Sequence, residues 1–229
     1  GNLNLSVSNI DGEKGILLSK NDMHVIAGEV FLSGGQMSSG KSLHINALSI
    51  NSDNGQITSN EKLALHTHGA LVNSNGLIAS NSDVNLQTGS ISNLDGIIVA
   101  DNVTINTNGQ ALTNVAGKIA SNGELNINSG ELNNDNGSLQ SAGNMSINTK
   151  EERLINTAGN TDANKGILSQ GTLNINTGNL DNTAGYIAAL GKTNLSVSSL
   201  NNDATGVGVS TVKGTILSND ELTITTTVG

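Results

Sequence analysis

The stretch at residues 112–130, "LTNVAGKIASNGELNINSG", decides the fold because phrases of the same kind recur along the chain. Its apolar residues fall at Leu112, Ile119, Leu125 and Ile127, among Asn, Gly and Ser. Within it, "GKIAS" and "LNINS" alternate apolar and polar residues, which is the period of a strand with one buried face. No segment offers ten residues of helical spacing, so short strands joined by Asn, Gly, Ser and Asp turns are predicted.

Ten repeats appear when the phrases are aligned on a glycine that stands two positions before an apolar residue. Most intervals between repeats are 20 or 21 residues. The glycines are Gly15, Gly35, Gly55, Gly76, Gly96, Gly117, Gly137, Gly166, Gly185 and Gly214. Their apolar partners are Leu17, Met37, Ile57, Ile78, Ile98, Ile119, Leu139, Leu168, Ile187 and Ile216. A further apolar pair, Leu125/Ile127 in the opening stretch, has two possible equivalents in the ninth repeat: Thr193/Leu195 or Leu195/Val197.

This periodicity predicts an all-β parallel β-helix of about ten coils, stacked about 4.8 Å apart into a rod of roughly 45–50 Å. A leucine-rich repeat has a similar period, but its tighter Leu-x-x-Leu-x-Leu-x-x-Asn phrase is not found in register. A coil buries about five aliphatic side chains, worth roughly 1.5–3 kcal/mol each. Ordering its backbone costs roughly 1–2 kcal/mol per residue. A single coil therefore cannot fold alone, and repetition is what stabilises the rod.

Composition narrows the classes of function. The chain has 229 residues, a net charge of −9 and a single arginine, Arg153, which disfavours nucleic acid or an anionic membrane as partner. The absence of cysteine excludes a thiol nucleophile, disulfides and a Cys-based zinc site. We find no transmembrane segment and no signal peptide, and we expect no cofactor. Because the first residues, "GNLNLSVSN", already have the pattern of a strand, we expect residues 1–229 to be one β-helix segment within a longer chain.

Asparagine occupies one equivalent turn position in seven consecutive repeats. Earlier repeats have Gly12, Leu32 and Ser52 there. Asparagine tolerates left-handed backbone and caps neighbouring amides, and stacked asparagines can bond to one another. We therefore predict a structural ladder rather than a row of ligand-binding amides. Its members are Asn73, Asn93, Asn114, Asn134, Asn156, Asn182 and Asn202.

The repeated phrases "LTNVAGKIASNGELNINSG", "LVNSNGLIASNSDVNLQTG" and "LDNTAGYIAALGKTNLSVSS" resemble the filamentous-haemagglutinin repeat. That repeat occurs in large bacterial exoproteins exported by two-partner secretion, among them adhesins, contact-dependent growth-inhibition effectors and haemolysins. The resemblance covers residues 70–210 strongly and 1–70 more loosely. It implies a right-handed parallel β-helix that forms an extracellular shaft, secreted or held at the bacterial cell surface.

The same resemblance sets the expected function and partners. It implies a rigid spacer that can also serve as a cell-adhesion surface, which would meet a receptor or glycan on a target cell. The alternative is a scaffold part of a growth-inhibition toxin or a pore-forming haemolysin. The Asn-Pro-Asn motifs of the family's secretion domain are absent, because the chain has no proline. Contact with the outer-membrane transporter is therefore expected through a domain outside this segment, and we expect no membrane insertion by the segment itself.

Two histidines are weak candidates for a metal site. His24 and His44 occupy the same outward position on adjacent coils, so their side chains should lie about 5 Å apart, close enough to share a transition metal. His66 and His68 lie on the next coil. A solvated polar face explains the same residues without a metal.

A β-helix enzyme acting on polysaccharides is the remote alternative. Acid pairing for glycoside hydrolysis needs two facing carboxylates. Asp83, Glu124 and Glu131 instead fall at turns or strand starts on different coils, and the cluster "KEER" at 150–153 has the pattern of a solvated turn beside its own counter-charge. We therefore expect no enzymatic activity and no catalytic residue.

Two insertions interrupt the repeat at the same corner, two coils apart. They are "NTDANKG" (160–166) and "VGVSTVKG" (207–214), and the valines of the second predict either an extra short strand or a cover over apolar surface. Loops that bulge from one face of a solenoid often form its binding face, although tolerated loop drift would look the same. Tyr186 lies between them at an outward position. The predicted contact surface comprises Tyr186, Asp162, Lys165, Val209 and Lys213.

Overall fold

The computed structural model describes residues 1–160, 162, 164–205 and 211–226. All the regular secondary structure in this part of the chain is β-strand, and a coil has three strand positions, which we call first, second and third. The first strands are β1 (Leu3–Ser6), β4 (Met23–Ile26), β7 (Leu43–Ala47), β10 (Leu63–Thr67), β13 (Asp83–Gln87), β16 (Asn102–Asn106), β19 (Leu125–Asn128), β22 (Met145–Asn148), β25 (Leu173–Asp181), β27 (Thr193–Asn201) and β31 (Leu222–Thr226).

The second and third strands of the coils follow the same order. The second strands are β2 (Asn9–Asp11), β5 (Glu29–Phe31), β8 (Ser49–Asn51), β11 (Leu71–Val72), β14 (Ile91–Ser92), β17 (Leu112–Thr113), β20 (Leu132–Asn133) and β23 (Leu154–Ile155); the long β25 and β27 include this position. The third strands are β3 (Ile16–Ser19), β6 (Gln36–Ser39), β9 (Gln56–Ser59), β12 (Leu77–Ser80), β15 (Ile97–Ala100), β18 (Lys118–Ser121), β21 (Ser138–Ser141), β24 (Gly166–Ser169), β26 (Tyr186–Ala189) and β30 (Thr215–Ser218).

Parallel pairing from coil to coil produces the solenoid that the periodicity predicts. Within the described residues, the first and second strands form one 19-stranded sheet and the third strands form a ten-stranded sheet. The register is continuous, as where Leu125 lies beside Val103 on one side and Met145 on the other. The parallel β-helix of about ten coils is thus confirmed, while its right-handed sense stays a prediction.

The core is a thin aliphatic column. Leu112, Ile119, Leu125 and Ile127 of the opening stretch are each at most 2% exposed, and they form one layer of it. Burial alternates along the strands as the sequence pattern requires; in β19 the order is buried, exposed, buried and intermediate. Phe31 is 41% exposed, so this aromatic side chain does not fill the core.

The sequence alignment is wrong by one residue in the eighth coil. Leu168 was predicted to face the core two positions after Gly166, but Ile167 is the buried residue and pairs with Ile187. Leu168 faces outward. The cause is the insertion, which brings Lys165 rather than Gly166 to the place of the aligned glycine.

The ninth repeat resolves the open pairing. Thr193 pairs with Leu173 and Leu195 with Ile175, so the pair is Thr193/Leu195. Thr193 is fully buried, and its hydroxyl has no hydrogen-bond partner among the described residues. A polar group therefore interrupts an apolar column at this point.

Candidate functional site

The seven asparagines lie in one hydrogen-bonded column at the corner between the second and third strands. Each Nδ2 donates to the Oδ1 of the next coil, at 2.7 Å from Asn73 to Asn93 and again from Asn93 to Asn114. The four further bonds, which end at Asn202, measure 2.7–2.8 Å. The members from Asn73 to Asn182 are at most 1% exposed.

From Gly35 onward, the aligned glycines stand at positions of this corner where a side chain has no room. A Cβ added at Gly96 would overlap the carbonyl oxygen of Asn73 and stand 2.6 Å from Oδ1 of Asn93. The backbone of the coil below therefore takes the space that a side chain would need, and it does so at Gly35 as well, in a coil without the ladder, where an added Cβ would overlap the Gly12 carbonyl. The residue before the glycine adopts a left-handed backbone, with φ of 52° at Asn75 and 53° at Ala116, which closes the corner.

The ladder leaves no amide in its interior for a ligand. Besides its ladder bond, the Nδ2 of Asn93 donates to the carbonyl of Gly96 at 3.1 Å. At one end Ser52 Oγ donates to Oδ1 of Asn73 at 3.3 Å, and at the other Nδ2 of Asn202 donates to the carbonyl of Gly214 at 3.2 Å. Its burial and its bonding pattern are those of a structural element.

The two insertions meet each other above the intervening coil. The Nδ2 of Asn160, in the first insertion, donates to the carbonyl of Lys213 at 2.5 Å and to Oγ1 of Thr215 at 2.9 Å. In the second insertion β29 (Val212–Lys213) pairs antiparallel with β28 (Ala204–Thr205), which is the extra short strand that the valines predict. In the residues that the structure describes, both insertions are therefore held in place by hydrogen bonds.

A groove of about 940 Å³ runs beside the first insertion, along the outer face of the ten-stranded sheet. Outward residues of successive third strands form its floor, and Asn164 and Tyr186 line it on the insertion side. The Nε2 of Gln140 donates to the carbonyl of Asn164 at 3.0 Å and so holds the insertion against the sheet. The sequence does not predict this groove, because its floor is a column of outward residues of mixed size that carry no motif: Val99, Ala120, Gln140, Leu168, Ala188 and Leu217.

Tyr186 is partly exposed and lies beside the preceding coil in the sheet. Its neighbour there is Gly166, whose φ is 95° and where an added Cβ would overlap the Tyr186 carbonyl and stand 3.2 Å from the Tyr186 Cβ. The insertion thus places a residue without a side chain beneath the tyrosine.

The other predicted contact residues lie outside the groove. Asp162 is exposed and its Oδ1 accepts the backbone N–H of Asn164 at 2.9 Å, which stabilises the loop. Lys165 is half-buried and Lys213 is exposed. Neither lysine nor Asp162 lines the groove, and Val209 lies outside the described residues.

The histidines of the first coils stack on one another. The ring centroids of His24 and His44 are 5.0 Å apart with planes 17° apart, and those of His66 and His68 are 6.3 Å apart. Burial, and then the nearby charges of His24 and His66, lower the pKa of His44 below its ordinary value of 6.5. No three His, Cys, Asp or Glu residues come together as potential metal ligands in the described ranges.

The charged residues form isolated structural contacts. Arg153 of the "KEER" turn pairs with Asp181 of the next coil at 3.2 Å, so the prediction that this turn is neutralised by its own charges is wrong for the arginine. Burial raises the pKa of Asp181, but hydrogen bonds from Thr183 and Arg153 outweigh it, and the pKa falls below its ordinary value. Asp83 accepts a bond from Asn102 at 3.0 Å on the neighbouring coil.

Comparison with known protein families gives one match that spans the rod. The family described as "Haemagglutinin repeat" matches residues 1–74, 48–116, 98–151 and 147–227. Comparisons with curated proteins and with solved structures find no match. Among the residues that the structure describes, no helix has the length and apolar character needed to cross a membrane. The family is one of secreted or cell-surface exoproteins and is adhesin-like rather than enzymatic in character. Because the family match extends over residues 1–227 of 229, this chain belongs to the haemagglutinin repeat family.

Proposed function

We propose that this chain is a rigid spacer in the extracellular shaft of an adhesin-type protein. The observation that supports the proposal is the continuous parallel pairing of the third strands. This pairing continues past both insertions without a break. Stacked coils resist bending, because bending would open the backbone hydrogen bonds that join each coil to the next in both sheets.

The rod can be measured directly because the chain has no cysteine to compete for labels. Asn4→Cys and Thr223→Cys place two labels in one outward column, ten coil rises apart, or about 48 Å. We expect a narrow distribution of distances between spin labels at these sites. A broad distribution of these distances would contradict the spacer proposal.

A deletion supplies the matched control. Removing residues 84–124 places Leu125 where Val84 stood and takes out two coils in register. The distance between the labels should then fall by about 10 Å while the distribution stays narrow. An unchanged distance would mean that the coils do not stack as a continuous spacer.

The insertion corner supports a second role, as an adhesive surface. Asn160 joins the two insertions by hydrogen bonds, so this corner has a protrusion of fixed shape on a rod that is otherwise uniform. Replacing Tyr186 and Lys213 by alanine and measuring binding to target cells tests the role. Unchanged adhesion would leave the spacer role alone. A toxin or haemolysin scaffold would use the same rod, and sequencing the parent chain distinguishes those parents from an adhesin.

A further inference from the structure

The groove on the ten-stranded sheet has the dimensions of a site for a chain rather than for a small molecule. Its lining extends from Asn81, at the end of the fourth coil, to Asn219, at the end of the tenth. Six coil rises correspond to about 29 Å. Val99, Ala120 and Ala188 form part of a low apolar floor on which an extended ligand can lie.

The groove has almost no charge. Asp101 and Lys118 are the charged side chains among its described lining residues, and they balance each other. A strongly anionic chain such as a nucleic acid or a sulfated polysaccharide needs clustered cations, which are missing from this lining. The ligand that this surface suits is uncharged overall.

Several polar groups in the groove are available to a ligand. The hydroxyl of Tyr186 and the side-chain amides of Gln170 and Asn219 have no hydrogen-bond partner within the described residues. Amides and a phenol both donate and accept, so they match hydroxyl groups in either direction. The ring of Tyr186 adds an apolar face of the kind that packs against the C–H face of a sugar.

A peptide is a poorer fit to the same surface. Extended peptides bind sheets mainly by adding a strand to an open edge, where main-chain groups are unpaired. The third strands along the groove floor, β15 to β26, are each paired on both sides. Recognition here must rely on side chains, which favours a ligand rich in hydroxyl groups.

We propose that this groove binds an uncharged polysaccharide chain, laid along the rod axis with one sugar ring against Tyr186. The proposal deepens the adhesive role of the insertion corner and does not depend on the spacer role. Distance measurements between labels test the rod, whereas binding of sugar to the full 229-residue chain tests the groove. The two can therefore fail separately.

The experiment measures binding of the full chain to immobilised neutral oligosaccharides of increasing length, built from glucose, mannose or galactose, with heparin oligosaccharides as the anionic arm. We expect binding of at least one neutral series that strengthens with length, and none of heparin. Tyr186→Ala should weaken binding by about tenfold or more, and Tyr186→Phe by less, because the ring is kept.

Two further variants distinguish a loss of binding from a loss of folding. Ala188→Gln fills the floor, and glutamine is tolerated in this outward column because Gln140 already occupies it. It should also weaken binding by about tenfold or more. Ile97→Ala removes an exposed side chain from the column of Tyr186 outside the groove and should leave binding unchanged. The proposal is overturned if no neutral chain binds, if heparin binds instead, or if Tyr186→Ala and Ala188→Gln both bind like the native chain.

Discussion

The first three coils and the later coils build the same corner in two ways. In the first three, Gly12, Leu32 and Ser52 occupy the column, and Leu32 is buried there as a core residue. From Asn73 onward the column is an unbroken amide ladder. The backbone path is the same, so the fold does not require asparagine. What the ladder adds is a buried column of side-chain hydrogen bonds that join each coil to the next.

The largest expected effect comes from adding one methyl group beside the ladder. Gly96→Ala would push a Cβ into the Asn73 carbonyl, which is backbone and cannot move aside, so we expect a loss of about 3 kcal/mol in the free energy of unfolding. Gly15→Ala, in the first coil, meets its nearest atom at 3.3 Å, and we expect a loss below about 1 kcal/mol. Urea denaturation compares the two. Since no coil lies beneath Gly15 in this chain, equal losses would show that the backbone of the coil below does not set the space at the aligned glycine.

Removing one rung should cost somewhat less. Asn114→Ala leaves the Nδ2 of Asn93 and the Oδ1 of Asn134 without their ladder partners in a dry corner, for a loss of about 2 kcal/mol. Asn126→Ala, an exposed asparagine of the following coil, is the matched control and should change stability by less than about 0.5 kcal/mol. If both variants unfold at the native urea concentration, the amide ladder contributes nothing to stability.

Thr193 offers a change in the opposite direction. Thr193→Val keeps the shape of the side chain and removes a buried hydroxyl that has no partner, so we expect a gain of about 1 kcal/mol. Thr177→Val is the control, since that hydroxyl donates to the Glu152 carbonyl at 2.8 Å, and its loss should destabilise the rod. Thermal unfolding of both variants measures the contrast, and a loss of stability in Thr193→Val would contradict it.

Mild acid should affect the first coils selectively. The pKa of His44 is lower in the folded chain than its ordinary 6.5, so the unfolded chain takes up a proton first as the pH falls. Stability is therefore retained above pH 6.5 and decreases as the pH falls through the folded pKa. Amide hydrogen exchange at pH 7.5 and 5.5 should show extra opening near β4 and β7, reduced in His44→Gln but not in His68→Gln. Uniform opening along the rod would exclude this cause.

The sequence predicts this molecule well where the repeat is regular. Columns such as Leu112, Ile119, Leu125 and Ile127 follow from the alternation of apolar residues alone. Prediction fails at the insertion, where the glycine used for alignment shifts by one position and Leu168 is exchanged with Ile167. Apolar and polar residues still alternate after the insertion. The alignment of this strand with its neighbours, however, depends on the length of the inserted loop, and the alternation does not reveal that length.

The candidate site was harder to predict than the core. Tyr186 stands out in the sequence as the single tyrosine, yet its contact with Gly166 of the preceding coil is seen only in the structure. Arg153 pairs across coils with Asp181, although an acidic neighbour in the chain offered a simpler partner. Contacts between coils link residues about twenty positions apart or more, and for polar outward residues the periodicity carries no signal of which partner is chosen.

The asparagine column gives the rod a direction as well as a corner. In each of the six ladder bonds the donating Nδ2–H points from the fourth-coil end toward the tenth, so the dipoles of these bonds add along the axis instead of cancelling. Turning one amide around would set oxygen against oxygen on one side and two amino groups together on the other. The six ladder bonds therefore share one direction, and the amides of the column can be reversed only all together. Its two ends differ electrostatically even though the coils between them carry the same phrase.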